Sequence, residues 1–408
     1  MKYLLQVLLF IYPIANSLVI GENIGLVTLV GGLMIAAAPF LAVRHFLIKR
    51  EPFKLSKTAV VITVLVLYSI ATGFWAYSAE LYQSNIQAFI ITGLLLLITD
   101  MFVTDKEYAL PIMQAYIFGC ITLVGFIAFN YVSGELYADT ADRYSLGSGD
   151  PNVKAMQLAL ALGLLLGHVR LPAVPAIVNV VVMAWLFVGI ILTNSRTGFL
   201  ASIAIFTIFF FYNSDFKNVI RNWLIVLVVA VLLDGLTRFE FWGFTLSDQL
   251  ETGRQEALIT NTNKAADGMS QRLQIWTNGI EALADNPLGG IGFGTFQAYN
   301  RDNFGIDLIA HNTHISFLAE GGIIAYLLFL VIMMFVPIHW FALQDTLQRK
   351  TYLCLLATLF LFSLTLSLGQ LFIFWFFLIL LEKTVRPVVK KPTVRRQSQK
   401  KSRRSHSA

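Results

Sequence analysis

Charge is what this sequence has least of. Of 408 residues only 13% are Asp, Glu, Lys or Arg, 57% are hydrophobic, and mean hydropathy is +0.69. A soluble chain of this length would divide into two or three domains, each needing a charged surface that this composition does not supply. Cysteine is nearly missing as well. Cys120 and Cys354 both fall inside apolar runs, which excludes a disulfide framework and a cysteine-based metal site. No acidic cluster with metal-ligand spacing falls in the segments assigned below to the outer face, and no internal repeat is visible. The apolar runs also lack ionisable groups at mid-depth, since Asp234, Glu320 and Glu382 lie near predicted ends. That argues against an ion-coupled or proton-coupled carrier.

What the chain has instead is long hydrocarbon runs. Runs of about 17–25 apolar residues cross a layer of about 30 Å as helices. About twelve are present, at 3–20, 24–43, 58–77, 86–103, 108–130, 153–169, 172–193, 197–212, 219–236, 312–338, 351–367 and 370–382. The fold class expected is an all-α polytopic membrane protein with about twelve transmembrane helices. The first run is too long for a signal-peptide core and another follows at once, so it reads as an uncleaved helix. The last two runs are nearly continuous; Ser367-Leu368-Gly369-Gln370 supplies a polar, glycine-containing break between them.

Lys and Arg set the orientation. With the N-terminus inside, inner loops and termini hold 22 of the 30 Lys/Arg, and the long loop 237–310 carries five against nine Asp/Glu. Loops 131–152, 194–198 and 237–310 then share the outer face. Residues 1–382 form the membrane domain. The segment 383–408 holds ten Lys/Arg and no acid, and reads as a disordered cytoplasmic tail that touches anionic lipid rather than nucleic acid.

The long loop is not a plain linker. From Ser270, apolar residues recur at Leu273, Ile275, Trp276, Ile280, Leu283 and Ala284 at near-helical spacing. Ser270 is placed to cap this helix, and Asn286-Pro287 ends it. An interfacial helix on the outer membrane surface is expected.

The residues suited to chemistry gather on that outer face. Arg196 sits in the short loop Asn194-Ser195-Arg196-Thr197-Gly198, Arg272 on the interfacial helix, and His311 and His314 where the chain re-enters the bilayer. Two guanidinium groups and an imidazole at a water–lipid boundary suit a lipid-anchored diphosphate. Arginine forks donors onto phosphate oxygens, and histidine takes a proton near neutrality. Each residue also has a plainer use. Arg196 suits headgroup anchoring, Arg272 a solvated helix face, Asn312 or Thr313 a helix cap, and the two histidines a zinc pair with no third ligand in sight. The glycines at 289, 290, 292 and 294 resemble a phosphate cradle, but no strand precedes them and no Lys-Ser/Thr follows, so a tight turn is expected.

Taken in order, these segments resemble the O-antigen ligase and polymerase superfamily of bacterial envelope glycosyltransferases. The resemblance is carried by Asp150-Pro151-Asn152 and Asn194-Ser195-Arg196-Thr197-Gly198. It continues through Arg272-Leu273 with Trp276, Asn286-Pro287-Leu288, Gly290-Ile291-Gly292-Phe293-Gly294, and His311-Asn312 with Glu320-Gly321. It implies a metal-independent, inverting transferase without cofactor. The implied donor is an undecaprenyl-diphosphate-linked glycan and the acceptor a glycolipid or glycan, at the periplasmic face of the bacterial inner membrane. By the same resemblance Arg196 and Arg272 hold the diphosphate and His311 is the base; Asn312, Glu320 and His314 are supporting candidates, though His314 falls where the family varies and takes no role from the resemblance. Ligases often carry an acid near the turn before the last span, where this chain has Gln370. A polymerase acting on the same carrier is the near alternative; a lipid-linked saccharide flippase is the alternative of another class. The three principal residues are expected to converge on one outward-facing cavity.

Overall fold

The computed structural model describes residues 1–17, 24–44, 55–103, 106–133, 150–167, 174–212, 262–341 and 346–385, with short pieces between them. The expected span at 219–236, the first part of the long loop and nearly all of the basic tail lie outside the described residues.

Among the described residues the chain is helical: α1 (Lys2–Ile11), α2 (Leu26–Arg44), α3 (Lys57–Ala71), α4 (Ala79–Phe102), α5 (Lys106–Ser133), α6 (Pro151–Gly167), α7 (Ala176–Leu192), α8 (Arg196–Phe211), α9 (Thr262–Asp285), α10 (Phe296–Phe304), α11 (Thr313–Trp340), α12 (Thr346–Ser363) and α13 (Phe372–Val385). Extended pairing is limited to two short ladders of two residues a side. Four helical stretches, Lys57–Phe74, Ala79–Phe102, Ala109–Phe129 and Thr313–Phe335, are long and apolar enough to cross a membrane, and five shorter apolar helices accompany them. The protein is a helical membrane protein.

Helix α6 is the axis of the bundle. Every described residue of it except Val153 and Leu166 is buried, as expected of a helix apolar on all sides. It packs on α5, α7, α8 and α12. Small residues let helices approach: a Cβ at Gly119 would strike the Phe10 carbonyl where α1 crosses α5. Helix ends are capped by side chains. Ser56 accepts from the Ala59 N–H, Ser78 from Leu81 and Ser195 from Gly198. The last apolar run divides as expected, with α12 ending at Ser363 and α13 starting at Phe372.

Buried charge is concentrated at one end of α3. Glu382 accepts from the backbone N–H groups of Lys57 and Thr58 at 3.0 and 2.9 Å, and Lys383 pairs with Asp100 at 3.1 Å. Asp100 also accepts from the Ser56 N–H at 2.8 Å. Three helix ends are thereby pinned together.

Two expectations need correction. Helix α9 begins at Thr262, not at Ser270, so Ser270 lies inside it. The apolar run from 312 to 338 is not one regular helix: α11 breaks at Gly322, whose φ and ψ are 65° and −166°.

Candidate active site

The break in α11 is where the glycine-rich turn docks. The Ile291 and Gly292 N–H groups donate to the carbonyls of Ala319 and Glu320, both at 2.9 Å, and the Ile323 N–H donates to Pro287 O at 2.9 Å. Only a residue without a side chain fits there. A Cβ at Gly322 would overlap the Leu288 carbonyl, and Gly290, at φ +66°, lies against Glu320 and Gly322. The turn is therefore a main-chain rivet between loop and helix. Trp75 Nε1 donates to Gly290 O at 3.1 Å, Tyr68 Oη to Gly321 O at 2.9 Å, and Thr72 Oγ1 accepts from the Phe293 N–H at 3.0 Å. The end of α3 and the turn that follows it hold the rivet in place.

Above it, α9 and α10 form a small cap with its own core of Ile275, Ala282, Ile291, Phe296, Tyr299, Ala310 and Ala319. Leu273 and Ile280, 52% and 47% exposed, point the other way, so the apolar residues of α9 are shared between two faces. Asn278 Nδ2 donates to Asn300 Oδ1 at 2.7 Å, and Asn300 Nδ2 to Leu308 O at 3.1 Å. Trp276 Nε1 donates to Ala310 O at 3.1 Å. The cap thus grips the chain just before His311.

His311 itself has φ +46°. Outside glycine that left-handed region is populated mainly by Asn, Asp and His, and it persists where neighbours over-determine it. The other described non-glycine residue with positive φ is Asn194, at +49°, two residues before Arg196. Both thus lie within two residues of a candidate side chain.

Helix α11 starts immediately after His311. Asn312 Oδ1 accepts from the N–H groups of His314 and Ile315 at 2.9 and 3.2 Å, a helix N-cap. Thr313 Oγ1 donates to Leu366 O and accepts from the Leu368 N–H at 3.0 Å, fixing the helix start to the turn between α12 and α13. In that turn Gln370 Nε2 donates to Asn85 Oδ1 at 2.7 Å, and Asn85 Nδ2 to Gly294 O at 2.8 Å.

The supporting candidates separate at this point. His314 turns into the bundle: its ring nitrogens lie 3.4 Å from Tyr326 Oη and 3.2 Å from Ser363 Oγ, among the rings of Phe329 and Phe360. It does not share a metal-binding face with His311. Glu320 caps α10, its Oε1 accepting from the Phe296 N–H at 3.3 Å. Asn312 is a cap too, adjoining the candidate base.

His311 and Arg272 come together. Burial and then the Arg272 charge hold the imidazole below its ordinary pKa, while Asp150 acts in the opposite sense. Among the described residues the His311 ring makes no hydrogen bond, so a nitrogen is open to take a proton. Arg272 and Trp276 are one turn apart on α9, so one helix supplies both the cation beside the ring and the donor to the preceding carbonyl. Arg196 opens α8, and its cap residue Ser195 donates to Asn152 Oδ1 at 2.8 Å. Asn152 donates from N and Nδ2 to Asp150 Oδ1 at 2.8 and 3.0 Å. A hydrogen-bonded chain therefore runs from the Arg196 helix to the carboxylate near His311. Sequence reasoning placed Trp276 among the apolar residues of the interfacial helix and quoted Asp150 as part of a motif, and gave neither a role in the site.

A helical membrane bundle with a polar cap that sets the Arg272 charge beside a half-buried imidazole defines an integral-membrane protein with a charged site under the cap. Residues 181–330 match the family model described as O-Antigen ligase, and the match supports assigning the chain to that family. The matched segment contains Arg196, Arg272, His311 and Glu320; Asp150 precedes it. No curated protein matches the chain. The family carries ligase- or polymerase-type activity on lipid-linked glycans at a membrane.

Proposed function

We propose that this protein is a ligase of the bacterial inner membrane that moves a glycan from undecaprenyl diphosphate to a hydroxyl of a lipid A–core-type acceptor. The observation that carries the reading is the adjacency of an open imidazole, His311, and the permanent cation Arg272, with Arg196 tied in through Ser195 and Asn152. In this reading both termini are cytoplasmic, the chain spans the membrane about twelve times, and α9 and α10 cap the periplasmic face.

Arg196 and Arg272 grip the diphosphate, and their charge stabilises the leaving group as it forms, so the step needs no metal. His311 accepts the acceptor hydroxyl proton as oxygen attacks the anomeric carbon from the face opposite the leaving group, with inversion. Burial suits it to this role, since the ring stays neutral at neutral pH. Asn312 fixes the backbone beside it, and the outward Leu273 and Ile280 rest in the lipid interface.

The test is transfer in proteoliposomes with donor presented on the outer face. Arg196→Ala and Arg272→Ala should each slow transfer about a hundredfold or more, the loss of roughly 2–4 kcal/mol of transition-state stabilisation. Near-normal rates in both would count against the diphosphate assignment. Donor crossing the bilayer without a new glycosidic bond would favour a flippase. A polymerase shares the donor chemistry and differs in acceptor: a null strain lacking all caps on the terminal acceptor indicates a ligase, one keeping single-unit caps a polymerase.

A further inference from the structure

Protonation of His311 creates a second positive charge beside the Arg272 guanidinium, which never loses its own. Such a step is slow unless something negative is fixed nearby. The carboxylate that the structure provides is Asp150. It stands at the N-terminus of α6, nearly all of which is buried, where its carbonyl accepts from the Val153 N–H at 3.0 Å. Its Oδ1 is occupied by both N–H groups of Asn152. Asn152 and Ser195 are 8% and 1% exposed, so this strut is part of the packed interior. Among the described residues Asp150 Oδ2 accepts no hydrogen bond, which leaves its charge for the site.

We propose that Asp150 is a positioning residue for proton transfer: held by Asn152 and Ser195 against the Arg196 helix, its carboxylate offsets the charge that the His311 ring acquires. This rests on the glycosyl-transfer reading above. In that step the acceptor oxygen bonds to the anomeric carbon, the bond from that carbon to the diphosphate oxygen breaks, and its electron pair leaves with the diphosphate. The hydroxyl proton passes to a ring nitrogen of His311. The charged groups that act on the ring are Arg272 from α9 and Asp150 from the start of α6. His314, on the helix that follows, is turned away.

The experiment uses the full chain in lipid. Diethyl pyrocarbonate modifies neutral imidazole, and mass spectrometry separates His311 from the rest of the six histidines. The pH midpoint of His311 modification reads the ring without any donor present. Asp150→Asn keeps an acceptor for Asn152 but loses the charge. It should move the midpoint to lower pH, and Asp150→Glu should restore it. In transfer, Asp150→Asn should lower kcat at least tenfold with donor KM within threefold, and shift the acid limb of the rate profile downward. A merely structural role would slow transfer without moving either titration.

An unchanged midpoint in Asp150→Asn overturns the proposal. If that variant does not accumulate, Asn152→Ala removes the strut while keeping the carboxylate, and an unchanged midpoint there overturns it equally. Normal transfer by His311→Ala would remove the base assignment and the proton-transfer role with it. A midpoint that still followed Asp150 in that case would show the failure to lie in the functional reading, not in the pairing.

Discussion

Replacing Trp276 with Phe removes one hydrogen-bond donor and keeps a ring in the same place. The bond lost runs from Nε1 to Ala310 O at 3.1 Å and is partly buried. A neutral bond contributes about 0.5–1.5 kcal/mol net, and an acceptor left without its partner costs about 1–3 kcal/mol. The next residue is His311, held at φ +46°, a conformation that costs of order 1–3 kcal/mol and relaxes when its restraints are removed. A loosening of about 1–2 kcal/mol at the base, if felt wholly in the reacting geometry, slows transfer roughly five- to thirtyfold. Donor KM should move less than threefold, because Arg272 on the same helix is untouched. The assay is steady-state transfer in proteoliposomes with kcat and donor KM measured separately. A kcat within twofold of the parent, or a raised KM at constant kcat, would show that the indole only packs and that its bond does not hold the base.

Four further outcomes follow from other parts of the molecule. Because burial and Arg272 keep the His311 ring below its ordinary pKa of about 6.5, transfer should be flat through neutrality and fall only as pH drops through a value below 6.5. An acid limb above that value contradicts the base assignment. Gly322→Ala puts a side chain where φ is 65° and ψ −166° and against Leu288 O. It should cost about 1–3 kcal/mol in backbone strain alone and expose the 286–295 turn to protease; an intact turn would refute the rivet. Asp100→Ala leaves buried Lys383 without its carboxylate and should destabilise by about 3–5 kcal/mol, read as a lowered unfolding temperature in detergent. His314→Gln should retain transfer within threefold, since that ring is spent on Tyr326 and Ser363; a loss matching His311→Ala would mean the wrong histidine has been named.

Helices were readable wherever apolar length alone decides them. The described helices fall close to the expected runs, and the break before α13 fell at the polar Ser367–Gln370 segment. Main-chain pairing was not readable. The docking of 287–292 onto 319–323 uses N–H and carbonyl groups common to every residue, and its trace in the sequence is a set of glycines whose purpose is ambiguous. The interruption of α11 at Gly322 was hidden for the same reason inside an apolar run. Helix α9 was expected to start late because Thr262–Met269 is polar and shows no apolar stripe to mark it. In the site, residue type picked out Arg272 and His311, and the Arg272 charge acts on the His311 ring. It could not separate His311 from His314: that distinction is made by a left-handed backbone at one and a helical turn at the other. Nor could it join Asp150 to Ser195, because that link passes through Asn152 from a different loop.

The main-chain rivet has a consequence for how such a scaffold diversifies. It asks for the absence of side chains at Gly290 and Gly322 and is indifferent to almost everything else nearby. The outward surface of α10, with Arg301, Asp302 and Asn303 all exposed, can therefore be rewritten without disturbing the main-chain docking beneath it. Surface chemistry and scaffold become separately mutable: substitutions can accumulate on the rim while the frame under it stays fixed.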